Sequence, residues 1–178
     1  MSQSNNIVFK GLYIIAWIIF IGLCIEAGGL IVNFIFSIYN PAFVGHLYQK
    51  LDLSQMYLQS KWAFFGMYSF ILSIAILKAI LFYIVIRLIN KLDLTQPFNN
   101  YVSQQITLIS YYTLTIGLFG HVARQIAKNM EQHGLEVNSL NQFWPDSQAF
   151  ILMAAIIYVI ASIFKRGIEI QSENELTV

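Results

Sequence analysis

Chemistry-bearing side chains are scarce in this 178-residue chain, and four of them stand inside apolar stretches: Glu26, Lys78, His121 and Arg124. A charged group in hydrocarbon is costly, so each needs a partner or a use. The residue types allow two uses, a proton or ion relay and a structural ion pair. One acid and a few bases do not make a pathway, so the pair is the expectation. Counting the helical rise from the ends of the apolar stretches puts Glu26 roughly 22 Å deep, Lys78 roughly 13 Å, His121 roughly 23 Å and Arg124 roughly 28 Å. On these depths Glu26 faces the interior and pairs with Arg124 or His121, with Lys78 as second choice. The four residues form a candidate intramembrane polar network.

Other chemistry is not supported. His121 as a haem or metal ligand would need a second donor, and His46 and His133 lie in connecting stretches without ligand spacing. The single cysteine, Cys24, can form no internal disulfide, and no cysteine pair has metal-ligand spacing. No serine, cysteine or carboxylate pair is arranged for nucleophilic or acid–base work, and no glycine-rich phosphate loop is present. The expectation is a non-enzyme with no catalytic residues, no cofactor and no metal.

The elements that must position these groups are membrane helices. Hydrophobic residues make up 57% of the chain and charged residues 11%, against roughly 25% charged in a soluble domain. The formal charge of +1 gives no reason to expect direct contact with nucleic acid. Four apolar segments appear, and a span needs about 20 residues. The chain reads as one all-α transmembrane domain over 1–178, a four-helix bundle with short loops, its helices near 11–38, 62–90, 102–132 and 146–167 and a tail at 168–178. The first segment is too long for a signal peptide's apolar core and is read as retained.

Four crossings put both termini on one side. Arg87/Lys91 and Lys165/Arg166 close the helices there, while Trp62 and Trp144 mark the opposite interface. The expectation is a multi-pass protein of the cell membrane with both termini cytoplasmic. The short fourth segment reaches across with Phe143 and Trp144 in one interface and Lys165 and Arg166 snorkelling into the other.

The connections carry their own signals. In the first outer loop Phe43, Val44, Leu47, Tyr48 and Leu51 fall at helical spacing, as for an amphipathic helix on the membrane surface or on the bundle top. Pro97 ends the second helix, and Asn99 or Asn100 can cap the third. The third stays helical past His121, with Gly134 as its stop. Ser69/Ser73, Ala75/Ala79, Gly117/Gly120 and Ala154/Ala155 are small residues of the kind that let helices approach in lipid. Contacts within the chain are the simpler use of them, beside a homo-oligomer.

The closing run Phe164-Lys165-Arg166-Gly167-Ile168-Glu169-Ile170-Gln171, followed by acids, Leu176-Thr177 and Val178, is distinctive. With the Pro97-Phe98 turn it resembles the signature of a bacterial inner-membrane family catalogued as domain of unknown function 2975. The resemblance covers the second to fourth segments and the tail, roughly the last hundred residues, and leaves residues 40–60 unaligned. It implies four helices and no agreed biochemical activity. Members often stand beside a small helix-turn-helix regulator of the Cro repressor type. By that analogy the chain is a membrane partner or sensor for a cytoplasmic transcription regulator. The candidate partner-binding tail is Ile168, Glu169, Ile170, Glu173, Glu175, Leu176 and Val178, apolar residues among acids that could meet a basic surface. The rival class is a small-molecule or ion transporter or channel subunit. It would need a polar cavity near mid-membrane, for which Glu26 beside Gly28 and Gly29 is the one hint.

Overall fold

The computed structural model of the chain describes residues 3–40, 44, 47, 53–92, 97–135 and 137–175. It is helical, with no strand among the described residues. The helices are α1 (Gln3–Tyr39), α2 (Ser54–Gln59), α3 (Lys61–Lys91), α4 (Asn100–Gln132) and α5 (Ser147–Glu175), with a 3-10 turn at Asn138–Phe143. Four of them, all but α2, are long and apolar enough to cross a membrane.

Their ends follow from local chemistry. The Ser60 hydroxyl accepts a hydrogen bond from the Ala63 amide at the start of α3, and Asn99 Oδ1 accepts from the Val102 amide at the start of α4. Asp146 opens α5 by accepting from the Gln148 and Ala149 amides. Gly134 stops α4 in the left-handed region at φ 84°, with the Leu135 amide donating to the Met130 carbonyl and the Gly134 amide to the Glu131 carbonyl. That is the paired bonding a helix end needs when a glycine reverses the chain.

The four long helices pack in sequence order: α1 on α3, α3 on α4, and α4 on α5, with no substantial contact between α1 and either α4 or α5. Each neighbour runs antiparallel to the last, as shown by Phe34 stacking on Tyr68 and Phe20 meeting Tyr83 between α1 and α3, and by Phe70 meeting Phe119 between α3 and α4. The bundle is therefore an open row with α1 and α5 at its edges. One end holds the connections around residues 40–60 and 133–146 and is called the loop end. The other holds the start of α1, the α3–α4 link and the end of α5, and is called the tail end.

Small residues set the spacing of the row. A Cβ built on Gly117 would lie 2.9 Å from the Ile151 side chain and 3.2 Å from its backbone nitrogen, and one on Gly120 would lie 2.8 Å from the Pro145 ring. These glycines admit α5 and its leading turn against α4, so they serve contacts within the chain. The Ser110 hydroxyl donates to the Ala154 carbonyl at 2.9 Å across the same interface, and the Tyr68 hydroxyl donates to the Leu30 carbonyl at 3.0 Å across α1–α3. Inter-helix hydrogen bonds of this kind hold neighbours where lipid supplies no hydrophobic drive.

The hydrophobic core is concentrated at the loop end. Phe64, Met67, Tyr68, Ile71 and Ile74 of α3 form its centre, with Leu30 of α1 and Ile116 and Ala123 of α4 around them. Both loops close over it: Val44, Leu47, Leu53 and Met56 from the first, Val137, Leu140, Phe143 and Trp144 from the second. Val44 and Leu47 are buried in the core at the loop end; Phe43, Tyr48 and Leu51 are outside the described residues. The helix in this loop is α2, further along at Ser54–Gln59. Trp144, at 6% exposure, is a core residue and not an interface anchor, and Phe143 is buried with it, because the 3-10 turn folds both rings inward. Trp62, at 89% exposure, points away from the bundle.

The long helices also exceed the lengths expected of them. α1 begins at Gln3, and α5 continues without a break through Glu175, so its last eight residues belong to the helix and not to an irregular tail. Leu176 and Val178 lie outside the described residues, as does the side chain of Glu175.

Candidate functional site at the tail end of the row

The four ionisable groups of the proposed polar network are not brought together. Glu26 is half-buried on α1, a helix that packs on α3 and not on α4, while His121 and Arg124 are exposed on α4. Arg124 instead donates through Nη2 to the Pro145 carbonyl at 3.2 Å, helping to hold the turn that leads into α5. Glu26, Lys78 and His121 make no hydrogen bond or ion pair among the described residues. The pairing of Glu26 with Arg124 or His121 is thus not formed.

Depth counting misplaced Lys78 as well. The register set by Phe34 on Tyr68 and Phe20 on Tyr83 puts Glu26 level with Ile76, two residues from Lys78. The count went wrong because α3 runs a further turn past Arg87 to Lys91. Lys78 continues the buried stripe of Met67, Ile71 and Ile74 on α3, but forms no ion pair with Glu26.

The surroundings of Glu26 do not make a polar path. At its level the α1–α3 groove, about 380 Å³, is walled by apolar side chains such as Phe20, Ile31, Ile76 and Tyr83. The hydroxyls of α4 are mostly turned back onto the helix: Thr107 donates to the Ser103 carbonyl, Thr113 to Ile109 and Thr115 to Tyr111. Neither feature is the mid-membrane polar cavity that a carrier requires.

Organised polar chemistry is found at the tail end. The Phe98 ring, in the turn before α4, lies against α5 so closely that a Cβ on Gly167 would fall 2.7 Å from its Cδ1. Phe164 flanks the same ring at a centroid distance of 5.3 Å. The two stretches that carry the sequence signature, Pro97-Phe98 and Phe164–Gly167, therefore touch each other. The Lys91 ammonium sits 4.7 Å over the Tyr101 ring and ties the end of α3 to the first turn of α4. Together these contacts seat the end of α5 on the α3–α4 link.

Beyond that seat α5 projects as a helix. Arg166 Nη1 donates to Glu169 Oε2 at 2.8 Å, and the Ser172 hydroxyl donates to the Glu169 carbonyl. Ile168 and Glu169 are half-buried, whereas Ile170 and Glu173 are exposed. Between α4 and α5 at this end lies a groove of about 480 Å³ lined by Asn100, Ser103, Gln104, Thr107, Leu108 and Lys165. Reading for isolated charges missed it. Its signal was present in the spacing of the α4 residues, which recur at i, i+3, i+4, i+7 and i+8 and so share one helix face.

Four apolar spans in one short chain define a polytopic helical membrane protein. The chain belongs to the family of proteins of unknown function DUF2975, whose model matches residues 47–178. The match begins within the first loop, so residues 47–60, which the resemblance left unaligned, belong to the family's stretch as well. No curated protein and no solved structure is similar to the chain.

Proposed function

We propose that this is a non-enzymatic membrane protein whose tail end, in the cytoplasm, is a docking platform for a regulatory protein partner. The carrying observation is that α5 leaves the row as a continuous helix through Glu175, anchored at its base by Phe98 on Gly167. From Lys165 onward the extension is about 16 Å long at the usual helical rise. A preformed helix loses less conformational freedom on binding than a disordered tail. Past Arg166 its charged residues are Glu169, Glu173 and Glu175, with Ile168 and Ile170 between them. That pattern suits the basic surface of a small DNA-binding regulator, the partner class the family resemblance implies. The basic pairs Arg87/Lys91 and Lys165/Arg166 at this end support a cytoplasmic placement by the positive-inside bias.

Deletion of residues 171–178 tests the reading in the full membrane-embedded protein. The four spans should insert and pack as before, because Gln171, Ser172 and Glu173 are exposed beyond the Phe98–Gly167 seat. Co-purification of the cytoplasmic regulatory partner should be lost. Undiminished recovery of that partner with the shortened chain would reject the platform. A C-terminal reporter active only outside the cytoplasm would reject the orientation.

A further inference from the structure

We propose that the groove between α4 and α5 at the tail end binds a phosphate group. The inference does not depend on the docking platform. The groove is lined by one cation, Lys165, and by hydroxyl and amide groups of Asn100, Ser103, Gln104 and Thr107. These four come from the first two turns of α4, a helix of 33 residues whose N-terminus carries the positive end of its dipole.

The helix end alone would not identify a ligand. Ser103 does. It is only 9% exposed, it lines the groove, and its hydroxyl makes no hydrogen bond among the described residues. Its neighbour Thr107 spends its own hydroxyl on the Ser103 carbonyl at 2.9 Å, so the Ser103 proton is the donor left over.

Lys165 is in the same condition. It is exposed and makes no ion pair among the described residues, while its neighbour Arg166 is already engaged by Glu169. A free ammonium, a free hydroxyl donor and side-chain amides facing one cavity match the oxygens of a phosphate. The placement fits as well. Lys165 follows directly on the apolar run 149–164 of α5, and a lysine bordering such a run is suited to reach phospholipid headgroups. Leu108, deeper on the same face of α4, continues the groove toward the hydrocarbon. The phosphate can belong to a phospholipid of the surrounding leaflet or to a free phosphate or phosphate ester.

The full-length protein in detergent is titrated with phosphatidylglycerol, with diacylglycerol as a phosphate-free lipid, and with inorganic phosphate. Bound lipid is counted by native mass spectrometry, and phosphate is followed by calorimetry. One saturable site for phosphatidylglycerol and none for diacylglycerol is expected if the headgroup is the occupant. A site for inorganic phosphate without a lipid site assigns the free anion. In either case Lys165→Gln should weaken binding roughly tenfold, the effect of one charge-assisted contact. Ser103→Ala should weaken it severalfold without changing the thermal melt of the unliganded protein. Lys128→Gln, an exposed lysine at the loop end, should leave it unchanged. Equal retention of diacylglycerol, equal affinity in Lys165→Gln and the parent protein, or no saturable site for either phosphate source would overturn the proposal.

Discussion

Replacing Gly167 by alanine should have opposite effects on stability depending on whether Phe98 is present. With Phe98 in place the new Cβ meets the ring at 2.7, 2.9 and 3.3 Å, so the ring must swing away or α5 must withdraw. Overpacking of this sort costs about 1–3 kcal/mol. The ring is 42% exposed and is the outer end of its side chain, so the lower half of that range applies. Weakening of the Phe98–Phe164 contact is contained within it, as aromatic pairs are worth about 0.5–1.5 kcal/mol. Against this stands the better helix propensity of alanine over glycine, about 0.8–1.0 kcal/mol. The net loss for Gly167→Ala alone is then between about 0 and 1 kcal/mol. In a Phe98→Ala background the clash is gone and only the propensity gain is left. The same substitution should stabilise by up to about 1 kcal/mol, a rise in melting temperature of about 2–4 °C for a chain of this size. Thermal unfolding of the four proteins in one detergent completes the cycle, with an expected coupling of about 1–2 kcal/mol. A Gly167→Ala effect that is the same in both backgrounds within about 0.5 kcal/mol would show that the two motifs do not press on each other.

Other consequences can be measured in the same way. Gly117→Ala and Gly120→Ala should each destabilise by about 1–3 kcal/mol and more than Gly167→Ala, because the new Cβ meets the Ile151 backbone in one case and the Pro145 ring in the other; unchanged melting of both would contradict the close α4–α5 approach. Tyr68→Phe should cost about 0.5–1.5 kcal/mol by removing the inter-helix hydrogen bond to the Leu30 carbonyl, and a neutral result would remove that bond from the α1–α3 contact. Glu26→Gln and Arg124→Gln should be additive within about 0.5 kcal/mol, since the two side chains sit on helices that do not pack together; a clear interaction energy between them would revive the ion pair.

The sequence displayed the spans openly and the contacts between them only in part. Lipid forces each helix to be apolar over its full crossing, and that is a one-dimensional signal which survives without any knowledge of neighbours. Gly117 and Gly120 were legible for a related reason, since small residues at close spacing have few other uses in a membrane helix. The partner of Glu26 was not legible. Depth along a helix depends on where the helix enters the bilayer, and an error of one turn at the end of α3 was enough to favour the wrong helix. Trp144 misled because an aromatic residue beside a span has two homes, the headgroup belt and the cap of a core, and composition does not separate them. The meeting of Phe98 with Gly167 was invisible for a third reason. Each half was noticed as a motif, but nothing along the chain states that a turn and a distant glycine share a surface. The Ser103–Lys165 groove was hidden in the same way, with a face of α4 readable by period and its missing cation sixty residues away.

The open row has a consequence for biogenesis. Every long helix has its neighbours among the helices just before and just after it in the chain. During synthesis α3 emerges beside α1, α4 beside α3, and α5 beside α4, so each segment leaving the insertion machinery finds its docking surface already in the bilayer. No segment has to be held in lipid until a distant partner is translated, and the contact order of the membrane domain is correspondingly low. The loop-end cap is the exception: Trp144 and Leu140 reach the core around Phe64 and Met56 only after α4 has been laid down. Closure of that cap follows the insertion of α4, and a chain truncated before residue 137 would carry α1, α3 and α4 in order while leaving the centre of its core uncovered.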